Sequence, residues 1–235
     1  MSYYRKFRIV IGTPLWRLYL RWAYKKCVCD VKKLDFYPDF IKKDFTCLLC
    51  GVGNETTADE FIKFVTERNP SPKIIIIDIG DEQIAAVKKL IAKKYLNLNI
   101  KVKKINALRL KTFIKKNTID WIETDGFFEY FDDKSLKKLL LIWKELLTKD
   151  GFITTRACSS HGLIDQIIDK SRIWLGKVWI GVTLYPHDRK KLRNLLKETG
   201  FKYFKGLTGL PTFKRYSISL FLIALILFAN GYSLW

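Results

Sequence analysis

Residues 45–78 read FTCLLCGVGNETTADEFIKFVTERNPSPKIIIID, two apolar runs on either side of a segment with helical periodicity. The runs FTCLLC and KIIIID have the nearly unbroken apolar character of central strands that are covered on both faces. Between them, apolar residues recur at the spacing of one helical face: Ala58, Phe61, Ile62 and Val65. This strand–helix–strand order predicts a βαβ unit and a parallel sheet.

The same alternation continues along the central part of the chain. The predicted strands here are NIKVKKI, TIDWIE and GFITTR. Helices are predicted over 84–95, from Asp133 to Lys149, and from Asp188 to Gly200. FKYFKG and YSISLFLIAL could supply two further strands. We therefore predict an α/β fold with a mostly parallel sheet and helices on both of its faces.

The chain is strongly basic, with 43 Lys and Arg against 23 Asp and Glu among 235 residues, a formal net charge of +20. The positive electrostatic potential of such a chain attracts anionic lipid headgroups, nucleic acid or acidic substrates. Alternatively, the lysines could simply lie on solvated helix faces. Base recognition typically uses aromatic residues interleaved with Arg, and Arg is scarce outside the N-terminal segment. A nucleic acid is therefore the less expected partner.

The five cysteines suggest a reducing, cytoplasmic setting, because their number is odd and no N-terminal stretch has the pattern of a secretory signal. Cys27, Cys29, Cys47 and Cys50 could suggest a zinc site. However, side chains three residues apart on a strand point to opposite faces, which separates Cys47 from Cys50. No metal site is predicted.

The N-terminal segment predicts a helix that starts at Thr13 and Pro14, a capping residue followed by proline. Arg17, Arg21 and Lys25 recur every four residues and form a basic stripe beside apolar and aromatic residues. Two interpretations stay open. The helix could lie on a membrane surface, or it could be a lid over a ligand cleft.

Residues 216–235, YSISLFLIALILFANGYSLW, carry no charged side chain and approach the length that spans a bilayer. Their unbroken apolar centre, from Leu220 to Ala229, is shorter than a usual span. A buried last strand with a short tail and a membrane anchor both remain possible. The predicted organisation is a helical lid or extension over 1–44, a core over 45–215 and an apolar strand and tail over 216–235.

Gly51 and Gly53 lie in the turn between the first strand and its helix, and Asp78 ends the next strand. Glycines at such a turn let the backbone approach a ligand, and the helix N-terminus offers free N–H groups. A carboxylate at the position of Asp78 can accept both hydroxyls of an adenosine ribose, or it can cap the following helix. Together these features predict a nucleoside-binding crevice.

These motifs resemble those of the class I, Rossmann-like S-adenosylmethionine-dependent methyltransferases, over about residues 45–204. LLCGVGNET is similar to the glycine-rich first motif of the family, IIIIDIGDEQIAAVKKL to its ribose-binding second motif, and INALRL to the turn after its third strand. TIDWIETDGFFEYFDDKSLKKLLLIWKELLTKDGFI is similar to its fourth strand, cleft loop, long helix and turn into strand five, and HDRKKLRNLLKETGF to its late helix. The resemblance implies a three-layer fold with a seven-stranded, mostly parallel sheet, and S-adenosylmethionine as the cofactor.

The resemblance also implies roles for individual residues. Gly51 and Gly53 would approach the methionine part of the cofactor, Asp78 would hold the ribose, and Asn106 would lie beside the adenine amino group. Residues 125–127 would line the cleft near the sulfonium. The full predicted cofactor-binding set is Gly51, Val52, Gly53, Asn54, Glu55, Asp78, Ile79, Asn106, Ala107, Asp125, Gly126 and Phe127.

Three positions depart from the family pattern. Leu49 stands where the family usually has an acidic residue in the first strand, Glu55 stands at the usual third glycine, and Asn106 replaces a more common Asp. Glu55 could meet the ammonium group of the cofactor, or it could only favour the positive N-terminus of its helix.

Methyl transfer requires a nucleophile aligned behind the sulfonium methyl, so the protein mainly supplies positioning and a desolvated pocket. A base is needed only where the acceptor must lose a proton. His161, after the fifth predicted strand, is the candidate base, or it only forms a hydrogen bond within its loop. Tyr130 and Tyr185 could line the acceptor pocket or pack in the core, and His187 is expected to belong to a turn. The apolar segment IWLGKVWIGVTLYP predicts a small or lipid-like acceptor.

Two other functions remain compatible with the sequence. A decayed methyltransferase fold could act as a binding protein on an anionic membrane through its basic surface. The charge alone would also suit an RNA methyltransferase. An NAD-dependent oxidoreductase is disfavoured, because the glycine turn lacks the G-x-G-x-x-G spacing.

Overall fold

The computed structural model describes residues 4–5, 12–32, 35–156, 170–171, 173–174, 176–187 and 189–202. Within them, five parallel strands form one sheet in the order β3-β2-β1-β4-β5. The strands are β1 (Thr46–Cys50), β2 (Lys73–Asp78), β3 (Asn99–Lys104), β4 (Ile119–Asp125) and β5 (Leu147–Arg156). The helices are α1 (Pro14–Val31), α2 (Glu55–Thr66), α3 (Asp81–Lys94), α4 (Asp133–Leu146) and α5 (Arg189–Glu198), with 3₁₀ turns at Ala107–Thr112 and Phe128–Tyr130 and a π-helical turn at Gly176–Ile180.

The predicted α/β class and the Rossmann-like, three-layer arrangement are confirmed. Helices α1, α2 and α3 pack on one face of the sheet, and α4, α5 and the 107–112 turn pack on the other. The two strands predicted last, FKYFKG beyond Lys202 and YSISLFLIAL, lie outside the described residues. The same holds for the apolar segment 216–235, so the choice between a strand and an anchor stays a prediction.

The boundary between α4 and β5 differs from the prediction. The helix predicted to run to Lys149 ends at Leu146, and β5 begins at Leu147, which pairs with Ile119. The pairing then shifts register before Trp121. Gly151 lies at this irregularity, where an added Cβ would be 2.9 Å from the carbonyl oxygen of Ile119. The Lys-Asp-Gly turn is therefore an irregularity inside a longer strand.

Aromatic side chains form much of the core between α2 and the sheet. Trp121 of β4 is fully buried and stacks on Phe152 with a centroid distance of 5.7 Å. Phe61 of α2 approaches Trp121 to 5.0 Å, and Tyr24 of α1 meets Phe61 edge-on at 5.9 Å. Helix α1 is thus part of the helical layer, with Leu20 and Tyr24 completely buried.

Helix α1 begins as predicted, because the Thr13 hydroxyl accepts a hydrogen bond from the Trp16 amide and Pro14 follows the cap. Two residues of its basic stripe contact acidic residues of α2. Arg17 Nη1 lies 2.7 Å from Asp59 Oδ2, and Arg21 Nε lies 2.5 Å from Glu60 Oε2. Two of the three basic residues therefore hold α1 to α2. No helix among the described residues combines the length and apolar composition needed to cross a bilayer.

Candidate functional site

Three of the predicted site residues lie in one row at the ends of adjacent strands. The register pairs Cys50 with Ile77 and Leu49 with Glu123, so Gly51, Asp78 and Asp125 lie at the same carboxyl edge of the sheet. The chain leaves β1 toward β2 on one side and later returns to β4 on the other. Such a switch point opens a crevice outside the strand ends, where ligands bind in open α/β sheets.

The Asp78 carboxylate joins the two predicted motifs. Its Oδ2 accepts a hydrogen bond from the Val52 amide at 2.8 Å, and its Oδ1 accepts one from the Gly80 amide at 2.7 Å. Burial raises the pKa of Asp78, although these backbone amides oppose the shift. The glycine turn and the Asp78 carboxylate are therefore in contact at the carboxyl edge of the sheet. That a nucleoside binds at this edge stays a prediction.

Gly51 has a positive φ of 78°, a conformation that favours glycine. An added Cβ would lie 2.7 Å from Cδ2 of Phe127, so the close approach made here is to an aromatic ring. That ring stacks on Trp143 at 6.3 Å and meets Phe131 at 5.1 Å. Gly51 and Phe127, predicted at different parts of the cofactor site, are thus brought into contact.

Asn54 is fully buried at the start of α2 and caps this helix. Its Oδ1 accepts hydrogen bonds from the amides of Thr56 and Thr57, which are two of the four N–H groups left free at a helix start. Its Nδ2 is buried and has no partner among the described residues. An acceptor group entering the crevice would satisfy this donor.

Glu55, the first residue of α2, accepts a hydrogen bond of 2.6 Å from the Tyr4 hydroxyl. The next residue along, Arg5, forms an ion pair of 3.4 Å with Glu82 in the first turn of α3. Residues 4 and 5 thus reach the starts of both helices that border the crevice. No local pattern singled out residues 4 and 5, because the lid was predicted from the helix that follows them.

The adenosine side of the predicted site is formed by residues after β2 and β3. Ile79 follows Asp78 and is 68% exposed, an apolar side chain open to the crevice edge. Asn106 Oδ1 accepts a hydrogen bond from the Leu108 amide at 2.9 Å and so caps the 107–112 turn, in which Ala107 is buried. Asn106 comes two residues after Lys104, the register partner of Asp78.

The predicted acceptor side lies beyond β4. Gly126 has a φ of 60°, and an added Cβ would meet no atom within 4 Å. Tyr130 is 37% exposed and Tyr185 is 39% exposed, so neither side chain is buried in the core. The Tyr185 amide donates to the carbonyl oxygen of Glu129 at 2.7 Å, which brings the two tyrosine segments together. His161, the candidate base, lies outside the described residues.

His187 is a residue whose role the sequence did not indicate. It is buried, its Nε2 lies 3.0 Å and 2.9 Å from the carbonyl oxygens of Phe128 and Phe131, and its Nδ1 lies 3.1 Å from Asp133 Oδ1. Because carbonyl oxygens only accept, Nε2 carries a proton. His187 therefore connects residues 182–187 to residues 128–133, which follow β4. The sequence predicted only that it belongs to a turn.

A second concavity lies away from these motifs. It is lined by Thr66 of α2 and by residues 93–98 at the end of α3. Both helices end there, so this concavity is at the opposite edge of the sheet from the glycine turn. It contains none of the predicted site residues.

No family model matches this chain, and no curated protein matches its sequence. Solved structures do match. The YcgJ protein from Bacillus subtilis aligns with a TM-score of 0.57 at 14% identity, over 77% of this chain and 70% of that one. The cyclopropane synthase MmaA2 from Mycobacterium tuberculosis aligns with a TM-score of 0.57 at 17% identity, over 77% of this chain and 61% of that one. The S-adenosylmethionine-dependent methyltransferase SibL aligns with a TM-score of 0.53 at 16% identity, over 77% of this chain and 50% of that one. The chain thus matches between half and 70% of the length of these proteins, and the similarity is one of fold.

Proposed function

We propose that this chain, which has the fold of the class I S-adenosylmethionine-dependent methyltransferases, binds S-adenosylmethionine and transfers its methyl group to a small or lipid-like acceptor. One observation carries the proposal. The Val52 amide donates a hydrogen bond of 2.8 Å to the Asp78 carboxylate at the switch point of the sheet. The crevice at a switch point is where nucleoside cofactors bind in open α/β sheets.

The residues present fit such a cofactor. Each Asp78 oxygen accepts one backbone N–H, and a carboxylate has about four acceptor positions, so both oxygens retain capacity for ribose hydroxyls. Ile79 offers an exposed apolar surface for the adenine ring. The buried Asn54 Nδ2 offers a donor to the carboxylate of the methionine part. The three groups match the polar, apolar and anionic parts of the cofactor.

The cofactor would supply an electrophilic methyl group, so the chain's own task is to position the acceptor and to exclude water. Phe127, packed on Gly51, forms an apolar wall beside the expected sulfonium position. Tyr130 and Tyr185 add partly exposed aromatic surface next to it. This lining suits a small or lipid-like acceptor. His161 remains the proposed base for an acceptor that must lose a proton.

The net charge of +20 would draw the protein toward an anionic membrane, where a lipid-like acceptor resides. A second function, ligand binding without catalysis, is favoured by Leu49. This buried apolar side chain stands where the family usually has an acid.

Transfer from S-adenosylmethionine labelled in its methyl group tests the proposal. The full chain would be incubated separately with a small-molecule extract, with vesicles containing anionic lipid, and with total RNA. We expect label in the first or second fraction, and none with Asp78→Asn. Label in RNA would support the RNA alternative, and cofactor binding without any transfer would support the binding protein.

A further inference from the structure

Two large apolar side chains that follow β5 in the chain are open to solvent. Trp174 is 61% exposed, and Val178, in the π-helical turn at Gly176–Ile180, is 66% exposed. Their spacing of four residues is about one helical turn. Exposed apolar residues that are scattered singly are common on protein surfaces, whereas neighbouring ones form a patch that marks an interaction surface.

Backbone contacts join this patch to the acceptor side of the crevice. The Val182 amide donates a hydrogen bond of 3.1 Å to the carbonyl oxygen of Gly176. Gly176 is buried, and an added Cβ would lie 3.1 Å from Leu184 Cδ1. Further along, the Tyr185 amide donates to the carbonyl oxygen of Glu129 at 2.7 Å. The patch therefore lies on the same segment as Tyr185, which contacts the residues after β4.

Basic side chains accompany the patch. Residues 170–187 contain two Lys and one Arg but no Asp or Glu. Lys170 and Lys177 are exposed, and so is Lys190 in the first turn of α5. This charge favours an anionic partner. It disfavours a second copy of the chain, which would carry the same net charge of +20.

Apolar and basic side chains next to each other suit the surface of an anionic bilayer. Trp is enriched at the level of the lipid headgroups, because its ring is largely apolar and also carries one N–H donor. Lys177 would meet lipid phosphate while Trp174 and Val178 enter the acyl boundary. The phosphate backbone of a nucleic acid would attract the lysines equally, but it would leave Val178 in water. A bilayer is therefore the partner that matches both kinds of side chain.

We infer that Trp174, Lys177 and Val178, named here the 174–178 surface, dock the acceptor side of the crevice onto an anionic lipid bilayer. The inference rests on the proposed lipid-like acceptor and assigns the surface through which this acceptor is reached. Docking brings the segment that carries the partly exposed Tyr185 to the headgroup region. A lipid-like acceptor then enters the crevice directly from the bilayer.

Co-sedimentation of the full chain with lipid vesicles tests the 174–178 surface without cofactor and without methyl transfer. The wild type should bind vesicles made of equal parts phosphatidylglycerol and phosphatidylcholine, and should bind vesicles of phosphatidylcholine alone much more weakly. Trp174→Ala should weaken binding to the anionic vesicles roughly tenfold, because most of the inserted apolar area is lost. Lys177→Gln should weaken it roughly fivefold, through the loss of one charge at the lipid surface.

Exposed residues of the same kinds elsewhere in the fold supply matched controls. Leu96→Ala removes an apolar side chain that is 75% exposed just beyond α3, and Lys88→Gln removes a charge from the exposed face of that helix. Both variants should bind anionic vesicles within about twofold of wild type. Trp174→Phe keeps an aromatic ring and should retain most of the binding, while quenching of tryptophan fluorescence by lipids brominated in their acyl chains should fall. Thermal unfolding would check that each variant keeps the fold.

Unchanged vesicle binding by Trp174→Ala and Lys177→Gln would overturn the inference, and so would a wild type that binds no vesicles. The same holds if Leu15→Ser with Leu18→Ser removes binding instead, because the contact would then lie on α1, where these leucines are 66% and 60% exposed. An effect of Trp174→Ala on RNA binding alone, or on the oligomeric state alone, would assign the surface to nucleic acid or to a second copy. Vesicle binding that depends on Trp174, without transfer of label to lipid, would leave the docking surface in place and contradict the proposed lipid-like acceptor.

Discussion

Replacing Arg17 with Met tests how α1 is held to the rest of the fold. Arg17 Nη1 lies 2.7 Å from Asp59 Oδ2 and 2.9 Å from Glu60 Oε1, and the two carboxylates are 1% and 0% exposed. Removing one partner of a buried ion pair costs about 3–5 kcal/mol, because a buried charge is left uncompensated. Arg17 is 34% exposed, and Lys63 also contacts both carboxylates. We therefore expect a smaller loss in the free energy of unfolding, about 2 kcal/mol.

Neutralising the acidic partner instead of the arginine should reduce the free energy of unfolding by less. Glu60→Gln removes the buried charge, while Arg21, which is 52% exposed, can turn to water. We expect a loss of about 1 kcal/mol in this variant. Lys88→Met on the exposed face of α3 is the matched control and should stay within about 0.5 kcal/mol of wild type. Urea unfolding at pH 7 measures all three variants.

The loss in Arg17→Met should also depend on pH. Burial alone would raise the pKa of Asp59, but hydrogen bonds from Tyr95, Arg17 and Lys63 outweigh it and hold the pKa below its ordinary value. The pKa of Glu60 is lowered too, as hydrogen bonds from Arg21 and Arg17 outweigh burial. Groups with lowered pKa contribute stability above their unfolded pKa of about 4, and this stability is lost as the pH falls further.

The difference between wild type and Arg17→Met should therefore be complete above about pH 5 and shrink toward pH 3. An Arg17→Met variant as stable as the Lys88→Met control would refute the reasoning. A difference that stays constant from pH 7 to pH 3 would do so as well.

Three other changes probe the site. Gly51→Ala should lower the free energy of unfolding by about 2 kcal/mol in urea, because φ is 78° and a Cβ would lie 2.7 Å from the Phe127 ring. His187→Ala should lower the free energy of unfolding by about 2 kcal/mol in the same assay, because the carbonyl oxygens of Phe128 and Phe131 lose their buried donor. The raised pKa of Asp78, caused by burial, predicts that affinity for S-adenosylmethionine in calorimetry weakens as the pH is lowered, starting above the ordinary value of about 3.9.

Each of these expectations has a clear contrary result. A Gly51→Ala protein of unchanged stability would show that the Phe127 ring moves away without penalty. An unaffected His187→Ala protein would show that water replaces the imidazole donor. An affinity independent of pH down to 4 would mean that the Asp78 carboxylate is not the group that receives the ribose.

The first two strands and the contact between the glycine turn and Asp78 could be predicted because their signals are local. FTCLLC and KIIIID are nearly continuous apolar runs, as is typical of strands covered on both faces, and they form β1 and β2. Asp78 is the last residue of β2, and the glycine turn follows β1 directly. The parallel arrangement then places both at one edge of the sheet.

The ion pairs of the basic stripe on α1 could not be predicted, because their acidic partners are distant in sequence. Arg17 and Arg21 have the same spacing on a helix that faces lipid and on one that faces acids. Asp59 and Glu60 lie about forty residues away, and they appear in the sequence as the solvent face of α2. Their burial as partners of Arg17 and Arg21 follows from the packing of α1 on α2.

The burial of Glu123 and the contacts of His187 could not be predicted for a related reason. Glu123 stands in TIDWIE, a mixed strand in which no local pattern indicates that the carboxylate is buried. Its relation to Leu49 depends on the register between strands 74 residues apart. His187 contacts backbone carbonyl oxygens, which every residue has. That it links two segments is therefore visible only in the fold.

Calorimetric titration of S-adenosylmethionine into wild type and Asp78→Ala tests the central claim most directly. We expect the wild type to bind, and Asp78→Ala to bind at least about tenfold more weakly, because both ribose acceptors are lost. No heat of binding to the wild type at millimolar ligand, or equal affinity of the two proteins, would contradict the account.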